Sequence, residues 1–189
     1  MRPGYNETRS MDKNVKSISL IEAQCFNDAW SEKTITETFS YDYNHFVLID
    51  SSGRIYRSAD SGEEISTQEI SMNKTSVPDE ISGLSDTESD KNEIAGYVIY
   101  SVVCDEAELL RIAVSDRYRR NGFGRRLMQE FLGSLEGKAD SVYLEVRSGN
   151  EAAIGLYKGA GFEVVGVRKN YYRSPDEDAV LMKKVMNQI

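Results

Sequence analysis

The sequence has little of the chemistry on which metal centres and disulfide-bonded folds depend. It holds two cysteines and one histidine in 189 residues. Cys25 and Cys104 lie far apart, without the spacing of metal ligands. We therefore expect two reduced, buried thiols and no metal. Because His45 is the single histidine, we also expect no histidine-based catalytic dyad.

Long apolar runs and an excess of positive charge are also missing. No run of about 18 apolar residues occurs, so we expect no membrane span. The first residues lack the apolar stretch of a secretion signal. The net charge of −8 argues against direct nucleic-acid binding. These absences favour a cytoplasmic protein, and we expect a monomer.

Most of the negative charge lies in one segment. Residues 51–93 hold ten acidic and four basic residues, and so carry −6 of the net charge of −8. Their few apolar residues follow no sustained period. We predict a disordered insertion within a single domain at 1–189, since lengthening a loop from about 5 to about 45 residues costs only about 2 kcal/mol. The alternative is an acidic flap that regulates activity or steers the substrate.

Apolar periodicity outside this segment predicts a mixed α and β domain. Two helices, capped by Asp12 and by Ser31, precede a strand at 45–49. After the segment we expect strands at 94–103 and 108–115, a helix at 122–135, a strand at 141–147, a helix at 150–160, and strands at 162–168 and 179–184.

A turn rich in arginine and glycine follows the strand that ends near Val114. It reads Arg119-x-x-Gly122-x-Gly124 and leads directly into a helix. Free N–H groups at a helix start bind anions, and glycines let the backbone approach a phosphate closely. Leu127 stands where the dinucleotide fingerprint needs a third glycine, and the Gly-Lys-Ser/Thr of a P-loop is missing. The residues alone also allow a tight turn beside a solvated basic helix end.

This turn resembles the acetyl-CoA signature of the GNAT acetyltransferases. The resemblance implies the GNAT fold, with a mixed sheet of about six to seven strands and about four helices. It also implies that the turn holds the pyrophosphate and that the preceding strand pairs with the pantetheine arm. The cofactor-binding residues implied are Ile112, Ala113, Val114, Arg119, Arg120, Asn121, Gly122, Phe123, Gly124, Arg125 and Asn150.

A second block resembles one branch of that family, the RimI-type enzymes that acetylate the N-terminal alanine of a small-subunit ribosomal protein. The block runs from Leu144 to Phe162 and includes Glu145, Asn150 and Tyr157. Two further segments resemble the substrate-side loops of the branch, Trp30-Ser31-Glu32-Lys33 and Asn170-Tyr171-Tyr172. Ala29 replaces the proline usual before the tryptophan. The resemblance covers the chain except residues 51–93.

The resemblance implies direct acetyl transfer from acetyl-CoA to a protein N-terminus, without a covalent enzyme intermediate. Glu145 is the expected base and Tyr157 the expected acid, because a phenol near pKa 10 keeps its proton at neutral pH. Trp30, Tyr171 and Tyr172 are expected to wall the peptide groove. From the residues alone, Glu145 also fits a solvent-facing strand position, Tyr157 a core tyrosine, and the three aromatics edge packing.

Two other functions stay open at this point. One is acetylation of a small-molecule amine or a lysine side chain, and the other is a non-catalytic acetyl-CoA-binding module. An α-amine has a pKa of about 7.7–8.0 against about 10.4 for lysine, so more of it is neutral and reactive at pH 7. This difference favours an N-terminal acceptor.

Overall fold

Seven strands form one sheet with helices on both faces. The computed structural model describes residues 5–58 and 93–186, with side chains from residue 13 onward. Within these residues the helices are α1 (Tyr5–Cys25), α2 (Glu32–Phe39), α3 (Phe123–Ser134) and α4 (Glu151–Gly159). The strands are β1 (Asn44–Asp50), β2 (Ile55–Arg57), β3 (Ile94–Val103), β4 (Glu106–Val114), β5 (Ser141–Arg147), β6 (Glu163–Tyr172) and β7 (Glu177–Val185).

The strand order is β2-β1-β3-β4-β5-β7-β6, and every neighbouring pair is antiparallel except β4 and β5. This architecture confirms the fold class expected from the sequence. No helix in the described part of the chain is both long and apolar enough to cross a membrane.

The sheet separates two apolar clusters. Val47 and Ile49 of β1 belong to the cluster that contains the buried residues of α3, whereas Leu48 packs with α1 and α2 on the other face. Successive strand residues point to opposite faces, so the nearly continuous apolar runs of β1 and β3 serve both clusters. Because both faces of these strands are covered, the sheet gives a rigid support for the site at its centre.

The parallel strands β4 and β5 separate partway along their length. They pair from Glu106 with Ser141 up to Leu109 with Leu144, and no pairing follows. At this point Leu110 is an extra residue in the register of β4 against β3. Such a bulge bends a strand locally. The backbone of β4 from Leu110 to Val114 therefore has no β5 partner and borders a gap in the sheet.

Two local predictions are confirmed. Ser31 caps α2, with its Oγ accepting a hydrogen bond from the Thr34 N–H at 3.1 Å. Asn150 caps α4, with its Oδ1 accepting from the Ala153 N–H at 3.1 Å. Each cap satisfies an amide that the first helical turn leaves without a backbone partner.

Two other predictions are wrong. The first helix begins at Tyr5, so Asp12 lies inside it and does not cap it. Cys104 is an exposed residue of the β3–β4 turn with a φ of 55°, not a buried strand thiol. A two-residue turn between long strands needs such a left-handed residue, and this requirement overrides the apolar sequence around it. Cys25 is half-buried, so the prediction of a buried thiol is met only in part at this position.

The start of the acidic segment differs from the expected disordered insertion. Residues 55–57 form β2, which pairs with β1. The buried carboxylate of Asp50 accepts hydrogen bonds from the Ser52 and Arg54 N–H groups, both at 2.9 Å, and from the Tyr56 hydroxyl at 2.8 Å. These bonds close the β1–β2 hairpin. Residues 59–92, on which the rest of that prediction falls, lie outside the described residues.

Candidate active site

The gap between β4 and β5 is the floor of a cleft of about 850 Å³. Strand residues from both sides of the gap line it, together with the first turns of α3 and α4. The residues that line it and were expected from the sequence are Ile112, Ala113, Val114, Arg119, Arg120, Gly122, Gly124, Arg125, Glu145, Asn150, Tyr157 and Tyr172. These residues, which lie up to 60 positions apart in the chain, thus meet in one cavity.

The turn before α3 leaves its amides free for an anion. Gly122 is the N-cap of α3 at a φ of 81°, and it provides no side-chain acceptor. The first intrahelical bond runs from the Arg126 N–H to the Gly122 carbonyl at 3.0 Å. The amides of the first turn therefore remain without a helical acceptor, at the positive end of the helix dipole.

Arg119 is fixed beside this turn. Its Nε donates to the Val114 carbonyl at 3.1 Å, and its Nη2 lies 2.8 Å from Oδ1 of Asp116. Nη2 also donates to the Cys25 Sγ at 3.2 Å. Burial raises the pKa of Cys25 despite this contact, so the thiol stays protonated at neutral pH. Arg119 is thus oriented before any anion binds.

Asn121 and Phe123 do not line the cleft. Asn121 is exposed, and Phe123 packs against Tyr118 with ring centroids 6.1 Å apart. Their assignment to cofactor binding stays a prediction, which concerns the backbone of the turn and not these side chains.

Glu145 projects from β5 on the side opposite to the buried Leu144 and Val146. Its side chain is 23% exposed, and Oε1 lies 2.7 Å from the Arg168 Nη1 of β6. Alternation along the strand places Arg147 on the same side. A carboxylate thus lies in the cleft at the edge of the gap in the sheet, partly shielded from water.

Tyr157 enters the cleft from α4 and is 6% exposed. Its ring packs on Phe162, with centroids 6.0 Å apart. Burial, with a smaller contribution from Tyr172, raises the pKa of Tyr157 well above its ordinary value. The hydroxyl therefore keeps its proton at neutral pH and serves as a donor.

Of the three aromatic residues expected on the acceptor side, only Tyr172 lines the cleft. It is half-buried, and the Arg147 guanidinium lies 4.3 Å from its ring centroid. Burial, followed by the charge of Glu145, raises the pKa of Tyr172. Tyr171 is exposed and contacts Tyr172 edge-on at 5.2 Å. Trp30 lies behind the cleft wall, against Arg111.

A network around Arg147 and Glu177 was missed from the sequence. Arg147 donates to the carbonyls of Arg173 and Pro175, both at 3.2 Å, and to the Glu177 carboxylate at 3.3 Å. Glu177 also accepts from the Gly149 N–H, which is the first cause of its lowered pKa. These contacts fasten the β6–β7 turn to the start of α4. Arg147 follows Glu145 by two residues, and this spacing could have predicted that both side chains lie on the same face of β5.

Loop 26–30 forms the opposite side of the cleft mouth. Phe26, Asn27 and Asp28 line the cleft, and the Asn27 Nδ2 donates to the Ser174 carbonyl of the β6–β7 turn at 3.3 Å. Arg111 of β4 also lines the cleft, and the sequence analysis did not identify it as a site residue. The available signal was that Arg111 is the single charged residue in the apolar strand segment Leu109–Val114. Loop 26–30 and the β6–β7 turn thus meet over the site.

The family follows from comparison with known proteins. The model of the acetyltransferase (GNAT) family matches residues 15–162, and the chain belongs to this family. The [ribosomal protein bS18]-alanine N-acetyltransferase of Escherichia coli K12 is 43% identical over 93 residues, which cover 48% of this chain and 63% of that protein. The N-alpha-acetyltransferase RimI of Mycobacterium tuberculosis is 44% identical over 79 residues, which cover 42% of this chain and 49% of that protein. The chain thus spans less than two thirds of these curated relatives.

Solved structures agree over a longer stretch. The crystal structure of the ribosomal-protein-S18-alanine N-acetyltransferase from Escherichia coli superimposes with a TM-score of 0.64 at 26% identity. The match covers 93% of this chain and 90% of that one. Ard1 from Thermoplasma volcanium, at 22% identity and a TM-score of 0.64, shares the fold. The resemblance to the RimI-type branch is therefore confirmed.

Proposed function

We propose that this chain transfers the acetyl group of acetyl-CoA to the N-terminal α-amine of a protein, with the N-terminal alanine of a small-subunit ribosomal protein as the expected acceptor. One observation carries the proposal. A carboxylate, a protonated phenol and an anion-binding helix start all line one cleft at the gap between β4 and β5. Relatives named for acetylation of the alanine of ribosomal protein bS18 support the choice of acceptor.

The residues present fit acetyl-CoA. The free amides at the start of α3, with Arg119, Arg120 and Arg125 around them, suit a pyrophosphate. Ile112, Ala113 and Val114 have no β5 partner, and although the Val114 carbonyl accepts a hydrogen bond from Arg119, this open strand edge suits the amides of a pantetheine arm. Acetyl-CoA, when bound, supplies the thioester carbonyl that the acceptor amine attacks.

Glu145 and Tyr157 divide the proton transfers between them. Glu145 accepts the proton that the acceptor amine must lose, directly or through a water molecule, and Tyr157 donates a proton to the leaving sulfur. Arg168 forms an ion pair with Glu145 at 2.7 Å. Burial keeps Tyr157 protonated. Neither step needs a covalent bond to the enzyme.

The cleft mouth suits a narrow, extended acceptor. Loop 26–30 lies on one side, and Tyr172 with the Arg147 network lies on the other. The hydrogen bond from Asn27 to the Ser174 carbonyl joins the two sides. An N-terminus can enter such a mouth end-on, with its amine leading. That the protein works in the cytoplasm and as a monomer stays a prediction.

A panel of short peptides tests this proposal. The peptides differ only in their first residue (Ala, Ser, Gly or Met), and a matched peptide carries a blocked N-terminus. We expect the highest kcat/KM for Ala and no acetylation of the blocked peptide, both measured by mass spectrometry. Equal acetylation of the free and blocked peptides would contradict an N-terminal acceptor.

A further inference from the structure

Arg111 lies in the cleft but has no part in the transfer proposed above. It follows the bulge of β4 at Leu110, and its side chain is only 14% exposed. The guanidinium does not reach towards the phosphate-binding turn. It extends instead to loop 26–30 and to the last turn of α1.

Three residues of loop 26–30 contact this one guanidinium. It lies 4.5 Å from the ring centroid of Phe26 and 5.0 Å from that of Trp30. Its Nη2 donates to the Asp28 carboxylate at 3.1 Å and to the Asp28 carbonyl at 3.2 Å. Planar guanidinium groups suit such combined stacking and forked hydrogen bonding, whereas a lysine ammonium does not.

A buried carboxylate supports Arg111 from behind. Glu22 of α1 is 0% exposed, and its Oε1 lies 3.9 Å from the Arg111 Nε. Its Oε2 accepts from the Trp30 N–H at 2.8 Å, and Oε1 accepts a short hydrogen bond from the Tyr97 hydroxyl. A buried carboxylate is tolerated only with such partners. Glu22 therefore ties both Arg111 and Trp30 to the sheet.

We propose that Arg111 is a positioning residue for the acceptor, which acts through loop 26–30 and depends on Glu22 and Tyr97 for its own placement. The inference rests on the proposed function for the identity of the acceptor. Phe26, Asn27 and Asp28 line the acceptor side of the cleft. Arg111 contacts Phe26 and Asp28 directly and so sets the position of this part of the loop, without touching the reacting atoms.

This role predicts an effect on one substrate only. Arg111→Lys keeps a positive charge near Glu22 but loses the planar stacking between Phe26 and Trp30. We expect the KM for an N-terminal alanine peptide to rise roughly tenfold. We expect kcat to change by less than about twofold and the KM for acetyl-CoA to stay unchanged, because the phosphate-binding turn is untouched.

Trp30 reports the loop directly, because it is the only tryptophan in the sequence. Quenching of its fluorescence by acrylamide needs no activity. We expect Arg111→Lys and Tyr97→Phe to raise the quenching rate constant about twofold, as Trp30 loses its packing. Tyr97→Phe removes one hydroxyl and keeps the ring, so this milder variant tests the same network if Arg111→Lys folds poorly.

Tyr56→Phe is the matched control. Tyr56, like Tyr97, donates its hydroxyl to a fully buried carboxylate, in this case Asp50 at 2.8 Å. Tyr56 lies on β2 and does not line the cleft. The same chemical deletion at Tyr56 is therefore expected to leave the quenching and the acceptor KM unchanged.

The outcomes separate this inference from the proposed function. Raised quenching and a raised acceptor KM in Arg111→Lys and Tyr97→Phe, but not in Tyr56→Phe, support positioning by Arg111. Unchanged quenching, or an equal rise in the KM for acetyl-CoA, overturns it. If the unmodified protein acetylates no peptide, the proposed function fails, and the quenching result still decides whether Arg111 places the loop.

Discussion

The two sides of the cleft are built by different chemistry. On the cofactor side, backbone groups form most of the binding surface, through the free amides at Gly122 and the unpaired edge of β4. On the proposed acceptor side, side chains form the wall, through the networks around Arg111 and Arg147. The cofactor side therefore depends on local backbone conformation, whereas the acceptor side depends on contacts between distant parts of the chain.

This difference fits the cofactor and the proposed acceptor. Backbone groups that bind a cofactor of fixed structure are retained when side chains are substituted. Side-chain networks, in contrast, can be changed by substitution. Substitutions on the two sides are thus expected to affect different kinetic constants.

The largest effect is expected where the two sides meet, at Glu145. Glu145→Gln keeps the shape of the side chain but removes the base, and general-base catalysis contributes about 100-fold or more. We expect kcat for an alanine peptide to fall by about that factor, with both KM values nearly unchanged. Steady-state rates measure this, and Glu163→Gln on the exposed face of β6 is the control.

Arg168→Ala separates the base from its ion pair. Arg168 is 54% exposed, and ion pairs of exposed residues contribute little. We expect kcat to change by less than about threefold. A loss as large as that of Glu145→Gln would mean that Glu145 acts through the pair and not as the base.

The next largest effect is expected at Tyr157. Tyr157→Phe keeps the packing on Phe162 and removes the proton donor, so we expect kcat to fall about 100-fold or somewhat less. Tyr143→Phe, which removes a hydroxyl on the same sheet outside the cleft, is expected to leave kcat unchanged. Equal rates for the two variants would remove Tyr157 from the mechanism.

The pH dependence of kcat gives a second test of Tyr157. Burial raises its pKa above the ordinary value of 10.0, so the protonated, active form persists to higher pH than for a free phenol. We therefore expect no alkaline fall in kcat between about pH 8 and pH 10 from this group. A fall in that range that disappears in Tyr157→Phe would contradict the raised pKa of Tyr157.

A moderate effect, confined to the cofactor, is expected at Gly122. Its φ of 81° is left-handed, and space for a Cβ is open, so Gly122→Ala tests backbone conformation alone. We expect a loss of about 1 kcal/mol in the free energy of unfolding. We also expect roughly a fivefold rise in the KM for acetyl-CoA, with the acceptor KM unchanged.

Gly133→Ala is the matched control for Gly122→Ala. Gly133 lies within α3, also with open space around it. Alanine in a helix interior stabilises by about 0.5–1 kcal/mol relative to glycine. The variant should therefore unfold at higher urea concentration and bind acetyl-CoA normally.

The smallest effects are expected from the caps of α4 and α2. Asn150→Ala and Ser31→Ala each remove one hydrogen bond of 3.1 Å to a helix amide. Each is expected to lower the free energy of unfolding by about 1 kcal/mol in urea titrations. Only Asn150→Ala is expected to raise the KM for acetyl-CoA, since only Asn150 lines the cleft.

The sequence could predict features that depend on neighbours in the chain. The bounds of β3 and β5, the caps at Ser31 and Asn150, and the glycine turn at Gly122 all follow from local patterns. The three-residue strand β2 was missed, because three residues are too few to establish a period. The strand β2 is formed by its pairing with β1 and by the hydrogen bonds of the Asp50 carboxylate, and not by the strand propensity of its three residues.

The acceptor side could be predicted only in part for the same physical reason. The contact of Glu22 with Tyr97 joins residues 75 positions apart, and that of Asn27 with Ser174 joins residues 147 apart. No local pattern encodes such pairs. The aromatic loop residues indicated the right region, but only Tyr172 of the three lines the cleft, and the sequence analysis assigned no role to Arg111 or Arg147.

The most direct test of the account uses a peptide that offers two amines. The peptide begins with a free alanine and carries one internal lysine, and tandem mass spectrometry locates the acetyl group after incubation with the protein and acetyl-CoA. The proposed function predicts a single acetyl group, on the α-amine of the alanine, and its loss in Glu145→Gln. Acetylation of the lysine, or no acetylation by a folded protein that binds acetyl-CoA, would contradict it.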